Sequence, residues 1–205
     1  MRSQSSAEFE FPKICSFPPL YTKQPNQTVQ QQQLESWNIV ILQYCEFYKI
    51  NTLTMEGVPK HSQISSINIS DLPPLFHNKF ISRQVNTEFK NLIITNLIRS
   101  KKADYINPKK PDMGLYIYWR SITEWGNLIY EYINETGQKG SVLTIYELTK
   151  NDDDDDDVLN NGLPSDLRNL EESLLIKVIR EYLVKQGKAQ LLMNENNEIG
   201  GVKIV

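Results

Sequence analysis

Histidine and cysteine are scarce in this chain, with two of each among 205 residues. Two cysteines without a partner pattern give no disulfide framework. His61 and His77, both in a Ser/Asn/Pro-rich stretch, form no His/Cys cluster of the kind that holds zinc, and no Cys/His or Ser/His pair on which to build a nucleophile. Cys45 falls on the apolar face of a helix and reads as a small buried hydrophobe, whereas Cys15 reads as exposed. The nine glycines contain no phosphate-cradling loop, which argues against nucleotide hydrolysis. Long apolar runs are missing too, since nothing approaches the roughly 20 uncharged residues of a membrane span. The start, Met1 to Glu10, lacks the apolar core of a secretory signal. These absences predict a non-enzymatic chain with no cofactor and no metal, in a reducing compartment such as cytoplasm or nucleus.

What is present is repetition. Ala103-Asp104-Tyr105-Ile106 lines up with Ala189-Gln190-Leu191-Leu192 at an offset of 86, and the same offset carries Leu97-Ile98 onto Leu183-Val184 and Tyr116, Tyr118 onto Val202, Ile204. Upstream an offset of 88 matches Trp37, Val40, Ile41 and Tyr44 to Trp125, Leu128, Ile129 and Tyr132. A unit of roughly 85 to 95 residues is long enough to close one small core, so two similar domains in tandem are expected.

The periodicities within each copy say what kind of domain. Thr28 to Tyr48 and Thr87 to Lys101 carry apolar residues at helical spacing, and the second ends in Ser100-Lys101-Lys102, cations where the helix dipole prefers them. A turn-rich 107–114 separates Tyr105-Ile106 from the aromatic alternation Leu115 to Trp119, which reads as a hairpin with a long loop. In the second copy, Ser121 to Glu135 is a helix with Thr123 as N-cap. Ser141 to Leu143 is a short strand, Thr144 to Lys150 a short helix, and Ser165 to Gln186 a long one closed by Gly187. Ala189 to Met193 then pairs with Gly201 to Val205 around a turn. Helix, strand, helix, helix, hairpin is the order of a winged helix. The reading is an α+β chain of two tandem winged-helix domains, 28–120 and 121–205, behind an extended Pro/aromatic segment, 1–27.

Charge distinguishes two uses for such a protein. A nucleic-acid reader needs Lys and Arg along the helix and wing that meet phosphates. The first domain offers Arg83, Lys90, Arg99, Lys101, Lys102, Lys109 and Lys110. In the second, Lys177, Arg180, Lys185 and Lys188 stand among glutamates, and the net charge is −3. The six aspartates Asp152 to Asp157 repel one another and predict a mobile loop within 151–162; they lack the spacing and closing Glu of an EF-hand. The other use begins at Phe9-Glu10-Phe11-Pro12 and Phe17-Pro18-Pro19-Leu20-Tyr21, where proline biases the backbone towards a polyproline-like course and the aromatics supply area to bury. That segment either docks onto a partner or folds back onto its own first domain, and the two are compatible. Pro18-Pro19-Leu20-Tyr21 also matches the PPxY pattern that WW domains read.

Several of these stretches, taken together, resemble a known family. Phe17 to Asn26 ahead of a Gln-rich helix, Glu124-Trp125-Gly126-Asn127-Leu128-Ile129-Tyr130, Ser141 to Leu148 and Gly201-Val202-Lys203 are similar to the smallest subunit of the ESCRT-II endosomal sorting complex. The resemblance implies an adaptor in cargo sorting and multivesicular body formation that uses its winged helices for protein contacts. It also implies docking of the N-terminal half onto two larger ESCRT-II subunits, with Phe17, Pro18, Pro19, Leu20 and Tyr21 as assembly contacts. Two copies per complex, recruitment of the first ESCRT-III subunit through the second domain around Thr144, Tyr146, Glu147 and Leu148, and a peripheral place on the endosomal membrane through its partners follow in the same way. Glu56 to Ser70 and the aspartate run depart from the pattern, in places where loops are expected.

Overall fold

The helix that organises the first half begins where Asn26 accepts a hydrogen bond from the Val29 N–H at 3.1 Å, satisfying one of the donors that every helix start leaves open. In the computed structural model, which describes residues 8–149, 163–196 and 198–205, this helix, α1, spans Gln27–Phe47. The acidic run lies outside the described residues. The chain divides into two units, Met1–Trp119 and Arg120–Val205.

In the first unit, α1 buries Leu34, Trp37, Val40, Ile41, Tyr44 and Cys45, a 3.6-residue stripe. Strands β1 (Thr52–Leu53), β2 (Pro59–His61), β3 (His77–Asn78) and β4 (Arg83–Gln84) precede α2 (Thr87–Arg99), and β5 (Ala103–Tyr105) and β6 (Leu115–Ile117) follow it. Four of them make one antiparallel sheet in the order β2-β1-β6-β5. Glu56 to Ser70 is therefore not a loop throughout, because β2 within it extends the wing sheet. Trp37, Tyr44, Phe89, Ile93 and Ile117 are fully buried between helices and sheet.

The second unit opens with α3 (Ile122–Glu135), capped by Ser121 in a reciprocal box with Glu124, two residues earlier than the expected Thr123. Serine wins because Glu124 stands three residues after it and reaches back to its N–H at 2.8 Å. After β7 (Val142–Leu143), residues 145–149 form turns rather than the expected helix, with Leu148 N–H bonded to Ile145 and Thr149 N–H to Tyr146, each three residues back. The long helix also starts later than Ser165. Residues 165–169 are turns, Asn169 takes a left-handed φ of 53°, and α4 runs only from Glu172–Val178 before widening into a π-helical turn, Ile179–Val184. Strands β8 (Ala189–Met193) and β9 (Ile199–Ile204) complete a three-stranded sheet, β7-β9-β8. Each unit has the winged-helix plan of an aromatic-led first helix, a strand, a later helix and a hairpin; between the strand and the later helix the described residues form β2 to β4 with a 3-10 turn in the first unit and turns in the second.

Register corrects the repeat. Ala103 pairs with Ile117, but its counterpart Ala189 pairs with Ile204, so the last strand is offset by 87, not 86. Leu115 and Ile117 correspond to Val202 and Ile204, all of them buried. A one-residue slip would have turned those side chains to the other face.

Candidate functional site

Residues 8–26 are not an extended strand but two short 3-10 turns, Lys13–Ser16 and Pro18–Tyr21. Proline fixes φ near the value those turns require, which is why the Pro pair nucleates one. The turn gives the five residues Phe17 to Tyr21 opposite fates. Leu20 and Tyr21 are 3% and 4% exposed, inside the core of the first unit, while Phe17 is 55% exposed and Pro18 and Pro19 lie on the surface.

A polar clasp holds the turn in place. Gln33, buried on α1, donates from Nε2 to the carbonyls of Pro19, Leu20 and Thr22 at 2.9, 3.0 and 2.8 Å. Trp37 Nε1 donates to Leu20 O at 3.0 Å, and its ring meets Tyr21 edge-on at 5.5 Å. The Tyr21 hydroxyl donates to Cys15 O at 2.9 Å, which also accepts from Asn78 Nδ2 at 3.0 Å. Cys15 is thus 2% exposed, correcting the reading of it as a surface residue, and burial pushes its thiol up to about 11. Burial raises Cys45 and Tyr44 in the same direction. A WW domain reads PPxY as an extended helix with its tyrosine available, and neither condition holds for Pro18 to Tyr21 here.

On the outside of the clasp lies an apolar groove of about 410 Å³, lined by Ile14, Phe17, Pro19 and Val29 with the uncharged Gln32 and Ser36 of α1. Ile14 and Val29 are 40% and 46% exposed. The sequence motif pointed to Phe17 and the prolines but not to Ile14, Val29, Gln32 or Ser36. The signal for the α1 residues was available in their 29, 32, 36 spacing, which puts them on one helical face flanking the buried stripe.

In the second unit the four residues singled out around β7 also separate. Thr144 and Glu147 lock onto each other: the Thr144 N–H and hydroxyl donate to Glu147 Oε2 at 2.7 and 2.8 Å, and the Glu147 N–H donates to Thr144 Oγ1 at 3.2 Å. These bonds hold the Glu147 carboxyl below its usual range. Tyr146 is 58% exposed and Leu148 is buried.

Some of the basic residues that a nucleic-acid reader would need are engaged within their own unit, while Arg83, Lys101, Lys102, Lys109 and Lys110 are exposed. The solvent face of α2 presents Glu88, Asn91, Thr95 and Arg99, and Arg99 donates to Asn96 Oδ1 at 2.9 Å. Lys90 is buried with its ammonium 2.6 Å from Glu56, and Lys177 is paired with Glu181 at 2.7 Å. His61 lies exposed on β2 and His77 half-buried on β3. Among the described residues no three His, Cys, Asp or Glu side chains are placed to hold a metal, and no helix is long and apolar enough to cross a membrane.

Known proteins share this arrangement over almost the whole chain. A family model for ESCRT-II complex subunits matches residues 14–161. Vacuolar protein-sorting-associated protein 25 of Xenopus laevis is 30% identical over 195 residues, covering 95% of this chain and 98% of that protein. The Schizosaccharomyces pombe protein of the same name is 28% identical, with 95% and 97% covered. Among solved structures, subunit VPS25 of the endosomal trafficking complex ESCRT-II matches with a TM-score of 0.77 at 27% identity, covering 95% of this chain and 98% of that one. A chain in the crystal structure of endosomal complex ESCRT-II (VPS22/VPS25/VPS36) matches with a TM-score of 0.74 at 27% identity and the same coverage. With a family match across most of its length and the same two-unit fold, this chain belongs to the ESCRT-II complex subunits.

Proposed function

We propose that this chain is a non-catalytic adaptor of an ESCRT-II complex, joined through its N-terminal half to two larger subunits of the VPS22 and VPS36 kind. The observation that carries the reading is the division within the Phe17 to Tyr21 turn. Leu20 and Tyr21 anchor the turn in the first unit, and the anchoring presents Phe17, Pro18 and Pro19, with Ile14 and Val29, as an exposed apolar ledge. A rigid ledge of this kind loses little entropy when a partner covers it, so its buried area converts efficiently into affinity. The solved relative whose title names VPS22 and VPS36 beside VPS25 gives the partner class.

The second unit recruits the first ESCRT-III subunit through the surface around Tyr146, the one apolar side chain exposed among Thr144, Tyr146, Glu147 and Leu148. Two copies work in each complex, and the partners supply its peripheral attachment to the endosomal membrane in cargo sorting.

The assembly surface is tested by measuring the affinity of the complex formed with the two larger subunits. Phe17→Ala removes a ring that is already largely in solvent, so the variant stays folded and weakens assembly at least tenfold, since burying a Phe side chain is worth about 1.5–3 kcal/mol. Full affinity in a folded Phe17→Ala, Ile14→Ala double variant overturns the ledge as the assembly surface.

A further inference from the structure

Away from both surfaces, two lysines of the second unit converge on one tyrosine. Lys139 Nζ donates to the Tyr130 hydroxyl at 2.5 Å and lies 4.3 Å from its ring centroid, while Lys188 Nζ lies 4.6 Å from the same centroid and 5.7 Å from that of Tyr182. The two ammonium groups therefore stand within about a Debye length of each other, where like charges still repel. Among the described residues neither reaches a carboxylate, the chain end beside Lys188 included. Their hydrogen bond and charge hold the Tyr130 hydroxyl below its usual range, which marks a positive local field.

The aromatic part of the cluster is fixed. The Tyr182 hydroxyl donates to Asn127 Oδ1 at 2.7 Å, and its ring lies flush on Gly126, where any Cβ would collide with it. Tyr182 sits in the π-helical turn Ile179–Val184, a backbone departure frequent at functional positions.

We propose that Tyr130, Lys139, Tyr182 and Lys188 form a docking site for an acidic peptide segment of a partner protein, with a carboxylate of the partner seated between the two ammonium groups and its apolar neighbours on the tyrosine rings. Charge complementarity selects this occupant. Two cations are too few for an anionic membrane, where each contributes about 1 kcal/mol, or for a nucleic acid, whose affinity comes from many phosphates neutralised together. A single carboxylate held by two converging lysines needs no larger patch. The site stands independently of the assembly ledge.

The experiment is fluorescence anisotropy of a labelled Glu-rich dodecapeptide carrying one Phe, titrated with the intact chain, with phosphatidylserine vesicles as a parallel arm. Salt-sensitive peptide binding, weakened about tenfold by Lys139→Gln with Lys188→Gln and unchanged by Lys101→Gln with Lys102→Gln, supports the site. Lys139→Gln alone, in an exposed turn, gives an intermediate loss and keeps the test open should the double variant unfold. Equal losses in both lysine pairs, undiminished binding in the first pair, no binding at low salt, or vesicle binding lost from the first pair while peptide binding is kept, overturns it.

Discussion

Gln33 shows how one side chain decides what the N-terminal segment can do. It was legible only as a polar residue at the start of a helix, because nothing in a single sequence says which carbonyls a buried amide will meet. Its three bonds to Pro19, Leu20 and Thr22 hold the turn that exposes Phe17. Gln33→Ala removes one donor from each of those carbonyls, which keep Trp37 Nε1 at Leu20 and Gln24 Nε2 at Pro19 and Thr22, and is expected to cost about 0.5–1.5 kcal/mol in denaturant unfolding, with a parallel loss of ESCRT-II assembly. The cysteines give a pH signature. Burial raises the Cys15 thiol from near 9 to about 11, and Cys45 shifts further the same way, so the unfolded chain ionises first as pH rises. Their contribution is complete below about pH 9 and is lost as pH climbs towards the folded values. Unfolding midpoints are expected to fall between pH 9 and 11, with a shallower fall in Cys15→Ala. The segment's cysteine was unreadable as buried because its cover comes from Tyr21 and Asn78, the latter distant in sequence.

At the scale of elements, helix faces were legible and helix ends were not. The stripe of Leu34, Trp37, Ile41 and Tyr44 follows from spacing alone, as does Phe89, Ile93 and Leu97. The ends depend on caps. Both helices of the first unit close in a Schellman motif with a lysine, Lys49 at φ 51° and Lys101 at φ 58°, where the second unit uses Gly137 and Gly187. The Lys102 N–H reaches Leu97 O at 2.9 Å and the Lys101 N–H reaches Ile98 O at 2.9 Å. Lys101 therefore closes α2 by its backbone, beyond any charge on the helix dipole. Lys101→Gly removes left-handed strain at an exposed site and is expected to stabilise the chain by about 0.5–1 kcal/mol, read as a higher midpoint in thermal melts. The reverse holds where a glycine gives close packing. Gly126→Ala drives a methyl into the Tyr182 ring and is expected to destabilise by about 1–3 kcal/mol. The stretch 144–150 shows the same from the other side, since Thr144 and Glu147 form the same reciprocal box that starts α3 at Ser121 and Glu124, yet Leu148 and Thr149 bond three residues back and the described residues stay in turns.

For the whole molecule, tandem similarity was visible because both units keep the aromatic that seals the first helix, Trp37 and Trp125, each fully buried. The register of the last strand was not, since a single added residue between β8 and β9 is absorbed at an irregularity between Leu192 and Met193 and leaves no mark in composition. The division between Trp119 and Arg120 gives each unit its own core, so the proposed labour divides along the same line: assembly in the first, ESCRT-III recruitment in the second. The most direct test is quantitative capture of the larger ESCRT-II subunits and of the first ESCRT-III subunit by the intact chain and by a chain ending after Arg120. The shortened chain is expected to keep its affinity for the larger subunits and to lose the ESCRT-III subunit; retained ESCRT-III capture, or lost assembly in a shortened chain that is still folded, overturns this division of labour.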